Sequence, residues 1–406
     1  MERILHQVHG KHTFIYACSR LFERASYYGL RSLLVLYMVG ESLKMSTEEA
    51  LKIYGWFTAG IVFSQIFGAL LGDLIIGNRK SIILGGIIQA IGAFSFCIPS
   101  TIGLYFGLFL IVLGEGFYTP NMISHFGKLY LNKTKILDSG FTIFYLAVNM
   151  GAFIGAILIG YLGEKFSWEI GFATAGMLTL LSVVFPLISK EIDTPKKIEQ
   201  KNSFNNRIVK VLIAFILVGL FWGVYEISTI RIFDLQMKFG DYSTLNIAKD
   251  LLSSLNSIFI IPTSVIAIIL WSYFYNNQFI KLTIGFLLGA ISFGVLFLIP
   301  ETPSEKHLIL YLISSLFLSL SEIHIAPVIY AILTKYVNPK YLAIVISLAF
   351  IPTRFFTFIV GLFNDDLYDN PLLALKIGMI IISLISIGLI IYISINKKAT
   401  TLYNKL

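Results

Sequence analysis

Glu23, Arg24 and Arg31 stand close together in a segment, roughly residues 14 to 39, that is otherwise apolar enough to span a membrane. Arg20 precedes them, and Tyr27 and Tyr28 lie between them. An ionisable group at the bilayer centre costs about 2.5 to 3.5 kcal/mol on insertion scales, so such residues face a protein interior or a water-filled path. Residues three and four apart share a helix face, which gathers Arg20, Glu23, Arg24, Tyr27, Tyr28 and Arg31 into one polar stripe. A guanidinium can donate two parallel hydrogen bonds to a carboxylate. A glutamate can hold a proton or an ammonium group, and a phenol ring adds apolar contact with a polar tip. The stripe is therefore either an ion-paired lock between helices or the lining of a path for a charged solute.

The elements that must position this stripe follow from composition. The 406 residues are 56% hydrophobic and only 13% charged, against about 25% charged in soluble domains. That excludes a soluble globular protein. A spanning helix needs about 20 mostly apolar residues. Measured against that length, the chain offers about twelve segments, starting near residues 14, 49, 81, 104, 138, 168, 208, 250, 279, 307, 341 and 371. The first stretch is too long for a signal-peptide core and carries the charges, so it reads as a retained helix.

The net charge of +8 could point to nucleic acid, but its placement points to a bilayer. Arg79 and Lys80, Lys133 and Lys135, the run from Lys190 to Arg207, Lys335 and Lys340, and Lys397 and Lys398 fall in alternate loops. The intervening loops carry Glu41, Glu48, Asp241, Glu301, Glu305, Asp365, Asp366 and Asp369, with few positive residues. The positive-inside rule then puts both termini and the 190–207 connection in the cytoplasm. Cys18 and Cys97 read as small buried groups with no disulfide framework. No nucleophile and base pair, metal-ligand cluster or phosphate-cradling loop is visible, so neither a cofactor nor a metal is expected and an enzyme is the weakest reading.

The longest polar interruption, residues 190–207, separates six segments from six. Two six-helix halves whose rocking exposes a midplane site in turn is the arrangement of the major facilitator superfamily. The expected fold is thus an all-α membrane protein of twelve transmembrane helices, with residues 1–189 and 208–406 as the two bundles and 190–207 as a cytoplasmic linker.

Four stretches resemble the proton-dependent oligopeptide transporter family, a branch of that superfamily. Glu23-Arg24 with Ser26 to Gly29 and Arg31 looks like the second half of its ExxER signature. Gly68 to Lys80 is similar to the superfamily loop between spans two and three, and Gly114 to Phe153 contains Pro120-Asn121 and GFTIFYLAVNMGAF. The fourth comprises Phe221-Trp222 with Glu226, Ser254-Leu255-Asn256, and Glu322 with Pro327 and Thr334-Lys335. The two extra helices of many bacterial members have no room in the short linker, so the chain resembles a minimal member.

The resemblance implies that Arg24, Tyr27, Tyr28 and Arg31 face a central cavity, that Glu322 receives a peptide amino terminus, and that Glu226 belongs to a gating pair. A zwitterionic peptide needs a cation on one wall and an anion on the other, and Arg24 and Glu322 supply them. Asn149 and Asn256 either line the cavity or bond across helices. The implied role of Asp73, Arg79 and Lys80 is to hold cytoplasmic helix ends together in one conformational state.

Two positions depart from the family pattern. Arg20 replaces the first glutamate of ExxER, and Thr119 replaces a lysine before Pro120-Asn121. Arg20, Glu23, Arg24 and Thr119 sum to plus one, where the family set sums to zero. Glu115, one turn before Thr119, restores neutrality. It is expected to pair with the arginines of span one and to be the titratable group, with Glu23 as the other candidate.

Arg231 and Arg354 are basic where the family usually is not. Were Arg354 paired with Glu322, the amino-terminal subsite would be filled by protein and a more anionic substrate would fit better. His324 lies two residues from Glu322, on a different helix face. The expected function is uptake of di- and tripeptides with protons across the inner membrane, with peptide, protons and lipid as partners and no nucleic acid. A same-fold carrier with another substrate or altered coupling, and a non-transporting component that binds an unidentified partner protein, are the alternatives.

Overall fold

The computed structural model describes residues 8–40, 42–189, 203–240, 255–274 and 276–403. Residues 190–202 of the expected linker, and Ser254 with the start expected near 250, lie outside the described residues. Every regular element described is helical. We number the helices α1 (Lys11–Val39), α2 (Thr47–Leu71), α3 (Asn78–Ser95), α4 (Thr101–Lys128), α5 (Leu137–Lys165), α6 (Trp168–Ile188) and α7 (Phe204–Gly240). They continue as α8 (Leu255–Tyr273), α9 (Gln278–Phe297), α10 (Leu308–Tyr336), α11 (Leu342–Leu362), α12 (Asn364–Asp369) and α13 (Pro371–Tyr403).

Helix starts are set by local chemistry. Ser46, Ser100 and Ser167 accept from the backbone N–H three residues on, and Asn277 from the one two residues on. Each fills one of the donors a first turn leaves unpaired. Helix α2 runs on into a π-helical turn, Gly72–Ile76, closed by Gly77 at φ +89°. A side chain would be strained at that φ, so the glycine permits the reversal into α3.

Ten of the described helices are long and apolar enough to cross a membrane. Among the longer helices, α1 and α3 are the exceptions. Helix α1 carries Arg20, Glu23, Arg24 and Arg31, and α3 opens on Asn78-Arg79-Lys80. The burial pattern suits lipid on the outside: Trp56, Phe63, Ile75 and Ile102 are exposed, while Arg20, Glu23, Arg24 and Glu115 are buried. Cys18 is exposed rather than buried, contrary to expectation, and Cys97 is partly so. A thiol is small and apolar enough to sit on such an outer face.

Two compact units emerge. The first comprises the described residues of Met1–Val211 and Leu333–Phe350, the second those of Leu212–Ile332 and Ile351–Leu406. In the first unit α1 packs on α5 and α6, and α4 on α2 and α3. The α1–α5 approach depends on small residues: a Cβ on Gly155 would overlap the backbone of Ala25. Close backbone contact of this kind is how helices associate where lipid removes the hydrophobic drive. Aromatic packing of Tyr37, Phe57, Phe96 and Phe172 fills one end of the unit. At the other end the segment before α1 is tied down. The His9 ring shares hydrogen bonds with the Tyr130 hydroxyl at 2.8 Å and the Ser139 hydroxyl at 3.1 Å, and Lys133 Nζ donates to the Val8 carbonyl at 2.9 Å. In the second unit α9 packs on α13, and Ile227, Ile230, Val360, Leu367 and Ala374 form a core.

Candidate functional site

The first unit contains a buried cluster of two arginines and two glutamates. Arg24 grips Glu23 with two donors, its Nε reaching Oε2 at 2.8 Å, and the same guanidinium donates from Nη2 to Glu115 Oε2 at 2.7 Å. Arg20 donates from Nη1 to Glu23 Oε2 at 2.9 Å and to Thr119 Oγ1 at 2.8 Å. Thr119 passes its own hydrogen to Glu115 Oε1 at 2.6 Å, and Gln89 Nε2 reaches Glu115 Oε2 at 3.3 Å. The four charged side chains are each no more than 5% exposed, so they balance one another rather than water. Buried charges cost several kcal/mol apiece unless paired and hydrogen-bonded, and here every carboxylate oxygen has a donor.

The spacing produces this arrangement. Arg20, Glu23 and Arg24 fall on consecutive turns of α1, Glu115 and Thr119 are four apart on α4, and Gln89 comes from α3. Gln89 was not anticipated from sequence, since a lone amide in an apolar helix carries no pattern.

Further along α1 the surroundings of the charge change. Arg31 is part-buried, and its Nε donates to the Tyr54 hydroxyl at 2.7 Å, with Nη2 on the same oxygen. Its guanidinium carbon lies 5.5 Å from the Tyr27 ring, 5.9 Å from Tyr28 and 5.3 Å from Tyr54. Among the described residues Arg31 has no carboxylate partner. Arg24 also sits over Tyr27, at 4.4 Å. The structure thus joins Arg24, Tyr27, Tyr28 and Arg31 as one face and adds Tyr54 from α2. Asn149 donates from Nδ2 to the Tyr145 carbonyl on its own helix at 3.0 Å.

In the second unit Glu322 accepts from Asn256 Nδ2 at 2.9 Å. Asn256 Nδ2 also reaches the Tyr225 hydroxyl at 2.8 Å, and its Oδ1 accepts from Ser319 at 2.6 Å. Glu322 and Asn256 are therefore neighbours, with Tyr225 and Ser319 as additions the sequence did not flag. Arg354 is exposed, and among the described residues it makes no ion pair with Glu322, so the pairing that would fill that subsite is not formed. Arg231 is buried and tied up: it pairs with Asp234 and donates from Nη2 to the carbonyls of Ile299 and Pro300, just past α9, at 3.0 Å each. His324 bonds the Leu320 carbonyl on its own helix at 2.8 Å.

The third group, Asp73, Arg79 and Lys80, divides. Asp73 Oδ2 accepts from the Ile344 N–H at 3.0 Å, in the first turn of α11, where backbone donors are unpaired and the helix dipole favours an anion. The cation facing Asp73 is Lys128, at 3.6 Å, not Arg79 or Lys80. Arg79 turns away and donates to the carbonyls of Pro186 and Leu187 at 2.8 and 3.1 Å. Asn78 joins Asp73 to Asn121, and a Cβ on Gly72 would collide with the Asn121 side chain.

Comparison with known proteins agrees with this architecture. The sequence profile of the Major Facilitator Superfamily matches residues 16–362. The chain is 29% identical over 245 residues to the transporter YclF of Bacillus subtilis, covering 57% of this chain and 49% of that protein. It is 31% identical over 226 residues to a di-/tripeptide transporter of Lactococcus lactis subsp. cremoris, covering 52% and 45%. The matched stretch thus spans about half the length of these relatives. In three dimensions it is similar to a POT family transporter crystallised with 5-aminolevulinic acid, with a TM-score of 0.62, 20% identity, and 93% and 96% of the two chains covered. The chain belongs to the Major Facilitator Superfamily, a family of membrane transporters rather than enzymes, and its similarity within that superfamily runs to the peptide transporters.

Proposed function

We propose that the protein is a secondary transporter that takes up di- and tripeptides with protons by alternating access. In this reading twelve spans form two halves, residues 1–189 and 208–406, joined by the 190–207 linker. The protein sits in the cell's inner membrane with both termini cytoplasmic. Peptide, protons and bilayer lipid are its partners.

The observation that carries the reading is Arg31. Arg24 is saturated by Glu23 and Glu115, whereas Arg31 is held by the Tyr54 hydroxyl and the rings of Tyr27, Tyr28 and Tyr54, with no carboxylate of its own among the described residues. A fixed guanidinium without an anion is prepared for a bidentate carboxylate, such as a peptide C-terminus. Tyr27 and Tyr28 supply the apolar floor, and Arg24 contributes its field. Glu322, oriented by Asn256 and Tyr225, takes the amino terminus. Glu226 and Arg354 act as a gating pair, Asn149 lines the path, and Asp73 with Arg79 and Lys80 stabilises one conformational state. Glu115 is the proton carrier, since its protonation would release one of the two anions that hold Arg24.

The test is recognition of the terminus. Thermal unfolding of purified protein should rise with dialanine and not with dialanine amide, and Arg31→Gln should erase the difference. Equal response to both ligands in the unaltered protein sinks the assignment.

A second reading rests on Arg20 and Thr119. With these residues the charged cluster is already neutral and closed, which favours a carrier on the same fold with altered or absent proton coupling and a non-peptide or more anionic substrate. Uptake that equilibrates without accumulating under a proton gradient would support it.

A further inference from the structure

The outer surface of the second unit carries a feature that peptide transport does not use. Helix α13 is the most apolar of the ten candidate spans, with a mean hydropathy of 2.5, and only 22% of that window is buried. Within Pro371–Ile395 it holds a single charge, Lys376, which is exposed. Among the described residues no carboxylate lies within ion-pair distance of it. Adjoining it is a groove of about 480 Å³ lined by Lys376, Met379, Ile380, Ser383, Leu384 and Phe297. The five α13 residues follow helical spacing, so they form one continuous stripe, and Phe297 closes the groove from the end of α9.

We propose that this groove binds one anionic phospholipid, with an acyl chain along Met379, Ile380 and Leu384 and the headgroup phosphate on Lys376. The apolar stripe alone would accept any lipid tail; the lysine makes the site selective. A cation facing hydrocarbon is costly unless its ammonium reaches the interface or an anion. Lys376 lies five residues into α13, about 7.5 Å along the axis from Pro371 at 1.5 Å per residue. That depth lets its stem lie on the groove while the ammonium reaches the headgroup layer. Ser383 adds a hydroxyl on the same stripe.

The full chain, purified in detergent with bound lipid, is examined by native mass spectrometry after supplying equal phosphatidylglycerol and phosphatidylcholine. The unaltered protein should retain phosphatidylglycerol about fivefold over phosphatidylcholine at one site, the factor for about 1 kcal/mol per lysine at a membrane surface. Lys376→Gln should bring the ratio to unity while thermal unfolding is unchanged. Ile380→Trp, which fills the groove, should reduce retention of both lipids. Equal retention of the two lipids by the unaltered protein, or a preference that survives Lys376→Gln, overturns the proposal.

Discussion

Arg20 Nη1 on α1 donates to the hydroxyl of Thr119 on α4 at 2.8 Å, and that hydroxyl donates in turn to Glu115 at 2.6 Å. Thr119 thus relays between a cation and an anion. Thr119→Val keeps the shape but removes both bonds, leaving Glu115 Oε1 without a donor and Arg20 with only its Glu23 partner, while the ion pairs to Glu23 and Arg24 remain. The cost of an unsatisfied buried group is about 1 to 3 kcal/mol. Thermal unfolding in detergent should show a loss of that size, with Thr119→Ser close to the unaltered protein.

Glu115→Gln removes one charge from a cluster of two arginines and two glutamates. The variant should still bind dialanine, because Arg31 is untouched, but a pH gradient should no longer drive its uptake. Uptake rates in liposomes at matched and unmatched internal pH measure this. A pH-driven response equal to that of the unaltered protein would assign coupling elsewhere.

Tyr54→Phe removes the oxygen that takes two donors of Arg31 and leaves the ring. The guanidinium then loses its fixed direction. Affinity for dialanine should fall about tenfold, equivalent to about 1.4 kcal/mol, in the range of one hydrogen bond to a charged group. Binding titration of the two proteins decides it.

Asp73→Asn keeps the side-chain shape but removes the charge set between Lys128 and the first turn of α11. An anion at a helix N-terminus contributes about 0.3 to 1 kcal/mol, and up to about 2 when partly buried. The contact should therefore open more often. Cross-linking between cysteines placed near residues 73 and 344 should slow in the variant, and Arg79→Gln, which releases the carbonyls of α6 but touches neither Asp73 nor Ile344, should slow it less.

The tie at His9 should depend on pH. Burial, and then the nearby Lys133, hold the imidazole below its ordinary value of 6.5. A depressed value means the docked segment prefers the neutral ring, so docking is fully stabilised above about pH 6.5 and weakens as pH falls through the lowered value. Amide exchange over residues 8–13 should accelerate on acidification, and His9→Gln should flatten that dependence.

Much of this was legible in the sequence because membrane helices leave strong signals. Expected starts near 49, 81, 104, 138 and 168 correspond to helices beginning at Thr47, Asn78, Thr101, Leu137 and Trp168, since apolar length and flanking charge set them. The proximity of Glu115 and Arg24 followed from charge balance and one-turn spacing. What stayed hidden depends on side-chain direction between helices. The π-helical turn after α2 places Asp73 against Lys128 and points Arg79 at α6, and no spacing rule encodes that turn. Tyr54 and Gln89 are single polar groups in apolar helices, indistinguishable in sequence from packing residues.

The central claim is tested most directly by uptake of labelled dialanine into liposomes containing the purified protein, with an inward proton gradient. Accumulation above the external concentration, abolished when the gradient is collapsed, is the predicted result. Flux that stops at equal concentrations, or no flux, would contradict proton-coupled peptide uptake.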